Sequence, residues 1–343
     1  MSKGIVFKLT GTISLIIFTL FNGYSQEREV PSVRFMFYNV ENLFDIYDDP
    51  LTEDDDFLPD GLMRWNFTRY NRKINSLYKT IIAAGDWNPP AVVALCEIEN
   101  RKVLEDLLYG TNLVKFNYGI IHEDSPDLRG IDVSLIYRKD QVKIISYRYW
   151  IPKEFETEAF ASRSILYVKC VVQDDTLHLF ANHWPSRRGG VLAAEKYRID
   201  IAELVRSKID SISVTSSSRA KVIIMGDFNC TPEDPAIKRL ISPTGMGIAL
   251  MNLSDTLAQK GFGTYRYMGI WELIDQVIVS DWLLKSKSGL SVSESSFRIF
   301  KPDFLLKNDP KYPGLSPFAT YLGYRYQGGF SDHLPVLLDL IFN

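Results

Sequence analysis

The feature that most restricts how this chain can fold is a set of apolar alternations that each run into a polar side chain. Residues two apart on a strand share a face. Val33, Phe35 and Phe37 continue in phase to Asn39 and Glu41, and Ala91, Val93 and Leu95 continue to Glu97. Leu177, Leu179 and Ala181 lead to His183, while Ile223 and Met225 lead to Asp227 and Asn229. Asp275 stands in phase with Val277 and Val279 at the start of its run, and Ser331-Asp332-His333 precedes another. Each pattern puts a polar group at the rim of a buried layer, where an isolated carboxylate is costly unless paired or bound to a cation. Repeated at so many strand ends, it predicts one shared polar site.

The alternations predict strands at 33–40, 91–96, 131–138, 166–172, 177–182, 221–226, 273–280 and 334–340. Helical spacing occurs at Tyr70, Ile74, Leu77, Tyr78 and Ile81, and again at Tyr197, Ile201, Leu204 and Val205. Strands that outnumber interspersed helices fit an α/β layered sandwich with helices outside packed sheets, rather than a doubly wound parallel sheet. Two long loops are expected, at 45–65 and 301–329. The first carries Glu53-Asp54-Asp55-Asp56, which reads as a solvated surface, with a calcium site as the lesser alternative.

Residues 1–26 read as a separate unit. Lys3 and Lys8 precede an apolar run, 13–21, and small residues then lead to Gln26, the layout of a secretory signal. The run is short for a membrane-spanning helix of about 20 residues, and an uncleaved anchor is the alternative. The expected product is an exported domain spanning 27–343, periplasmic or secreted. The net charge of −3 argues against a protein that holds nucleic acid mainly through its phosphates. Cys96, Cys170 and Cys230 are odd in number and suit neither a disulfide framework nor a zinc site, so buried free thiols are expected.

Acid and amide oxygens without zinc-type spacing suit a hard cation, Mg²⁺ or Mn²⁺. A histidine beside an acid suits the activation of water near neutral pH. A covalent mechanism through Ser331 is disfavoured, because that serine lies in no Gly-x-Ser-x-Gly turn.

Six segments together resemble the endonuclease/exonuclease/phosphatase family, which includes DNase I, exonuclease III-type enzymes, sphingomyelinases and inositol polyphosphate 5-phosphatases. They are Tyr38-Asn39-Val40-Glu41-Asn42, Leu95-Cys96-Glu97, Asn182-His183-Trp184-Pro185-Ser186, Gly226-Asp227-Phe228-Asn229, Ile274-Asp275-Gln276 and Ser331-Asp332-His333, in the family's order. The resemblance implies a four-layer α/β/β/α sandwich of two packed mixed sheets flanked by helices, and metal-dependent phosphoester hydrolysis by water. It implies Glu97 as principal metal ligand, with Asn39, Glu41 and Asp332 near the ion. It further implies His333, oriented by Asp275, as general base. Asp227 would position the nucleophile, Asn229 would donate to the phosphoryl group, and His183 would bind phosphate or protonate the leaving oxygen. Cys96 and Glu41 depart from the family's commoner residues, and His183 resembles the DNase I and sphingomyelinase branches. Arg187 and Arg188, just past His183, are candidates to grip a second phosphate.

Three functions compete. A phosphodiesterase acting on nucleic acid comes first, and a phosphatase or phosphodiesterase for a small phosphoester or lipid headgroup second. The third, a catalytically inactive binding module, needs the loss of an acid or histidine from the set, and none is lost.

Overall fold

The structure, a computed structural model, describes residues 1, 32–152, 163–186, 191–216, 219–243 and 247–343. Apart from Met1, the expected signal segment lies outside the described residues, as do Arg187 and Arg188.

The first half of the chain runs through β1 (Ser32–Leu43), α1 (Phe67–Ala84), β2 (Val92–Ile98), α2 (Arg101–Tyr109), β3 (Tyr118–Ile121) and β4 (Asp132–Arg138). Next come β5 (Val142–Trp150), β6 (Ile165–Val172), β7 (Asp175–His183), α3 (Val191–Ser216), β8 (Lys221–Asp227) and α4 (Pro235–Ile241). There follow β9 (Leu250–Asn252), a hairpin of β10 (Tyr265–Tyr267) and β11 (Ile270–Glu272), and β12 (Asp275–Ser280). β13 (Leu290–Ser291) and β14 (Phe297–Ile299) precede the hairpins β15 (Leu306–Asn308)–β16 (Leu315–Pro317) and β17 (Tyr321–Leu322)–β18 (Arg325–Tyr326). The last strand is β19 (Val336–Phe342).

One sheet has the order β13-β19-β1-β2-β4-β3, with β14 also on β19, and the other the order β5-β6-β7-β8-β12-β9. Phe35, Phe37, Leu179, Ile223, Met225 and Val277 belong to the core shared by the two sheets. Met36, Tyr38, Val93 and Leu95 instead pack under Ile74, Leu77 and Ile81 of α1 and Leu104 and Leu107 of α2. Phe180, Val222 and Ile224 pack under Ile201 and Val205 of α3 and Ile237 of α4. The chain is therefore a four-layer α/β/β/α sandwich. Each fully buried large side chain contributes roughly 1.5–3 kcal/mol to holding the layers together. Cys96, Cys170 and Cys230 are free and buried.

Local signals start the helices on the first sheet. Asn66 caps α1 by accepting from the Arg69 amide, and Asn100 caps α2 by accepting from the Val103 amide. The apolar stripe of α1 then faces the sheet at the expected spacing.

Register gathers the strand ends. β7 and β8 are parallel and pair His183 with Asp227, while antiparallel β12 pairs Asp275 with that same Asp227. β1 and β2 are parallel and pair Asn39 with Cys96, and antiparallel β19 starts with Val336 opposite Phe37. Residues 331–333 therefore arrive beside the end of β1. A Cβ at Gly226 would stand 2.4 Å from the Asn182 carbonyl oxygen, so only glycine lets β7 and β8 meet so closely there.

Simple alternation misplaces Glu97. Val93 and Leu95 face the helices, and a regular strand would turn Glu97 the same way. Instead the register breaks between Cys96 and Ile98, and Glu97 has φ 62°. This bulge re-aims the carboxylate to the side of Asn39. A similar break follows Asn39, where Glu41 and Asn42 have φ 54° and 53°. Non-glycine residues held at positive φ cost about 1–3 kcal/mol each and concentrate at functional sites.

Candidate active site

His333, Asp275, Asp227 and Asn39 form a continuous buried chain. Nδ1 of His333 is 2.7 Å from Asp275 Oδ2, and its Nε2 is 3.9 Å from Asp227 Oδ2. The Asn39 amide donates to Asp227 at 3.0 Å and to Glu97 at 3.4 Å. His183 Nε2 lies 3.6 Å from Asp227 and 3.8 Å from Glu97. Asp332 Oδ1 is 4.0 Å from His333 Nε2. Asn229, at φ 50°, donates its backbone N–H to Asp227 and its side-chain amide to the Trp184 carbonyl.

Glu97, His183, Asp227, Asn229, Asp332 and His333 all line one cavity of about 610 Å³. The expected convergence of Glu97 and His333 on a single cleft is thus what the fold produces. Ser331 plays a different part: its hydroxyl donates to the Asn39 carbonyl and accepts the His333 amide, clasping the last segment to β1. That use leaves no role for it as a nucleophile.

Of the residues expected near the ion, Glu41 is turned elsewhere, and Asn39 stays in the site but presents its amide N–H to it. Both carboxylate oxygens of Glu41 accept backbone amides, from Thr320 at 2.6 Å and Tyr321 at 2.8 Å. The turn of the chain at Glu41 and Asn42 aims this side chain at the 301–329 excursion, which it anchors. The side-chain oxygen of Asn39 accepts the Glu41 amide at 3.0 Å, so Asn39 offers the site a donor rather than an oxygen ligand.

The electrostatics follow from burial and neighbours. Burial pushes Asp227 up to about 7, with Asp275 adding to the rise, against the pull of His333, the Asn229 amide and Asn39. Burial opposes the charge on His333, but Asp275, Asp227 and Asp332 outweigh it and hold the imidazole well above its ordinary value. His183 is pushed well below its ordinary value by burial, then by Arg163, Arg129 and His333, so it is a neutral imidazole. Burial disfavours ionised Glu97, yet Arg129, His333, Arg163 and the Asn42 amide keep it below the ordinary carboxylate range.

Alternation along strands did not reveal four cavity residues. Arg129 comes from the loop before β4, where it hydrogen-bonds Asn42, and Arg163 lies just ahead of β6, 3.0 Å from Asp127. Tyr265 and Tyr267 come from the β10–β11 hairpin, and the Tyr265 ring lies 4.9 Å from the His333 ring. The arginines stand off the strands and the tyrosines on a short irregular hairpin, so no periodic signal marks them.

A four-layer sandwich with acids and histidines at one end of its paired sheets is the architecture of DNase I-like proteins. The family model described as "Endonuclease/Exonuclease/phosphatase family" matches residues 34–341, and the chain belongs to that family of phosphoester-hydrolysing enzymes. Among solved structures it is similar to a humanized D. rerio TDP2, with 14% identity, TM-score 0.56, and coverage of 90% of this chain and 98% of that one. It is also similar to a mannosyl-6-phosphatase of Bacteroides thetaiotaomicron, with 15% identity, TM-score 0.55, and coverage of 90% and 100%. The human Nocturnin catalytic domain with bound sulfate is comparable, with 15% identity, TM-score 0.54, and coverage of 92% and 96%. No protein of curated function matches the sequence. Among the described residues no helix is long and apolar enough to cross a membrane.

Proposed function

We propose that the chain is a divalent-metal-dependent phosphodiesterase that uses water activated at the His333–Asp227 pair. The observation that carries this reading is that Glu97, Asp332, Asp227 and His333 open onto one cavity shared with two arginines. The donors fit a hard cation: Glu97 is kept ionised, Asp332 is a partly exposed carboxylate on the same cavity, and no thiolate is present. Mg²⁺ or Mn²⁺ held by Glu97 and Asp332 would polarise a phosphoryl oxygen and offset developing negative charge. Asn39 serves this pair by holding Glu97.

Asp275 holds Nδ1 of His333 and turns Nε2 towards Asp227. Because the surrounding acids favour the charged imidazole, the proton of the attacking water is taken by the His333–Asp227 pair rather than by His333 alone. Asp227, close by and poised near neutrality, shares that proton, so the two titrate as one unit. Neutral His183 and the free N–H of Asn229 are donors for phosphoryl oxygens. A neutral His183 is a hydrogen-bond donor rather than an acid, which disfavours its protonating the leaving oxygen. Arg129 and Arg163 supply positive charge for the phosphate, and Arg187 and Arg188 remain candidates for a second phosphate.

D. rerio TDP2 has been solved with a single-strand DNA product, which supports nucleic acid as the first substrate class to test. A small phosphoester or lipid headgroup is the second reading, favoured by a concave cavity and the net charge of −3. We propose further that the N-terminal basic and apolar segment exports the 27–343 domain. The deciding experiment offers the purified protein plasmid DNA, single strands, RNA, sphingomyelin, inositol phosphates, sugar phosphates and bis-p-nitrophenyl phosphate, with Mg²⁺ or with chelator. Chelator-sensitive cleavage that disappears in His333→Ala supports the proposal. Hydrolysis of no phosphoester in excess Mg²⁺ or Mn²⁺ sinks it.

A further inference from the structure

The partners of the His333–Asp275 contact approach from different sheets, so ladder pairing does not set the distance between them. Thr264, at the base of the β10–β11 hairpin, meets both segments. Its carbonyl accepts the amide of Leu334, the neighbour of His333, at 2.8 Å. Its hydroxyl accepts the amide of Asp275 at 3.2 Å. Thr264 and Asp275 are both fully buried, so loss of the hydroxyl would leave a buried N–H without this acceptor.

The hairpin around Thr264 is itself fixed on several sides. The Thr264 amide donates to the Glu272 carbonyl at 3.0 Å, and a Cβ at Gly263 would stand 2.6 Å from that same backbone, so glycine lets the hairpin close there. Tyr265 makes an antiparallel bridge to His333, and its ring lies 4.9 Å from the imidazole. Arg266 donates to Asp309 at 2.8 Å and to the Pro313 carbonyl at 2.6 Å, tying the hairpin to the 301–329 excursion. Ser331 clasps the His333 segment to β1. Thr264 sets where that segment stands relative to Asp275.

We propose that Thr264 is a positioning residue for the hydrolysis, holding Asp275 on Nδ1 of His333 so that Nε2 stays aimed at Asp227. This rests on the reading of the His333–Asp227 pair as the acceptor of the water's proton. Thr264 is not among the residues that line the cavity, so it acts through the pair and not on the substrate. A displacement of about 1 Å at a reacting group can cost about 10²-fold in rate. The effect of losing Thr264 therefore falls on kcat, while KM, set by the cavity wall, stays.

The test compares Thr264→Val, which loses the hydroxyl, with Thr264→Ser, which keeps it. On the substrate found in the panel, Thr264→Val should lower kcat about tenfold with KM within about twofold, and Thr264→Ser should stay within about threefold of wild type. The Nδ1 proton of His333 should give a downfield NMR resonance, assigned by its absence from His333→Ala. Thr264→Val should shift or broaden it, and Thr264→Ser should keep it. Asp339→Asn, which loosens β19 away from the cavity, should leave kcat unchanged. Should Thr264→Val fail to fold, Arg266→Ala, which frees the hairpin from the 301–329 excursion, should lower kcat about threefold or more and shift the same resonance. The proposal is overturned by an unchanged kcat or resonance in the folded variant, or by a loss carried by KM alone. It is equally overturned if Thr264→Ser is no better than Thr264→Val, or if Asp339→Asn loses as much. Full activity in His333→Ala is a different result, which removes the catalytic reading and this proposal with it. If no phosphoester is hydrolysed, the proposed function fails, while the resonance still decides whether Thr264 sets the His333–Asp275 contact.

Discussion

His333 and Asp275 meet at 2.7 Å between Nδ1 and Oδ2, with the Tyr265 ring covering the imidazole. Asp275 comes from the start of β12 and His333 from the approach to β19, so the pair joins the two sheets. His333→Ala should lower kcat by about 10²–10⁴-fold, and Asp275→Asn by about tenfold or more, with unchanged circular dichroism. Steady-state kinetics on the substrate found in the panel check this. Activity within twofold of wild type in His333→Ala would remove it from the chemistry.

Glu97 is the acid whose bulge brings it to the cavity. Chelation should abolish hydrolysis and Mg²⁺ or Mn²⁺ should restore it. In Glu97→Gln the metal concentration for half-maximal activity should rise by about 100-fold or more, as losing even an outer-shell contact costs 10–100-fold. A metal titration that overlays wild type would contradict the ligand assignment.

Arg129 stands at the cavity without a carboxylate ion pair among the described residues. A charge-assisted contact to phosphate is worth about 1.5–3 kcal/mol. Arg129→Ala should therefore lower kcat/KM by about 10- to 100-fold, and Arg129→Lys should recover only part of it. An unchanged kcat/KM would place the guanidinium outside the substrate's reach.

Lys73 is buried in α1, with its pKa brought down to about 8 by burial despite Glu41, Asp332 and Glu97. Its ammonium donates to the Thr320 hydroxyl at 2.5 Å and the Phe330 carbonyl at 2.6 Å. Lys73→Met leaves buried Glu41 without its cation and frees the segment leading to Asp332 and His333. We expect a loss of about 2–4 kcal/mol in urea unfolding, together with reduced kcat. A loss below about 0.5 kcal/mol would show that the network is not holding this segment.

Asp339 on β19 accepts from Arg34 at 2.7 Å and also from Arg298. Burial alone would raise its pKa, but the two guanidiniums hold it below the ordinary carboxylate range. The folded chain thus binds this proton more weakly than the unfolded chain. The stabilisation is complete above the unfolded pKa of about 3.9 and is lost as pH falls through the lower folded value. Asp339→Asn should cost about 1 kcal/mol at pH 7, and the difference from wild type should shrink progressively below about pH 4. A constant difference across that range would mean packing, not charge, accounts for it.

Much of the architecture was legible because alternation reports burial directly. The expected strands at 33–40, 91–96, 131–138, 166–172, 177–182, 221–226, 273–280 and 334–340 lie within or overlap observed strands. β5 escaped because it is an edge strand with Ile145 and Tyr147 exposed, so its two faces do not contrast. α2 and α4 span only 9 and 7 residues, too few for helical spacing to stand out.

From the sequence alone came the layers and the polar ends of the inner faces at Asn39, His183, Asp227 and Asp275, because the pairing is regular between each of these residues and the apolar run it shares a face with. Tertiary structure alone decided the rest. Glu97 enters the cavity through one left-handed residue that reverses the alternation, and Glu41 leaves it to hold a distant loop. Arg129, Arg163 and Tyr265 join from a loop, a strand approach and a hairpin. A strand's period is local, but a bulge and the seat of a loop side chain depend on what packs against them from far along the chain.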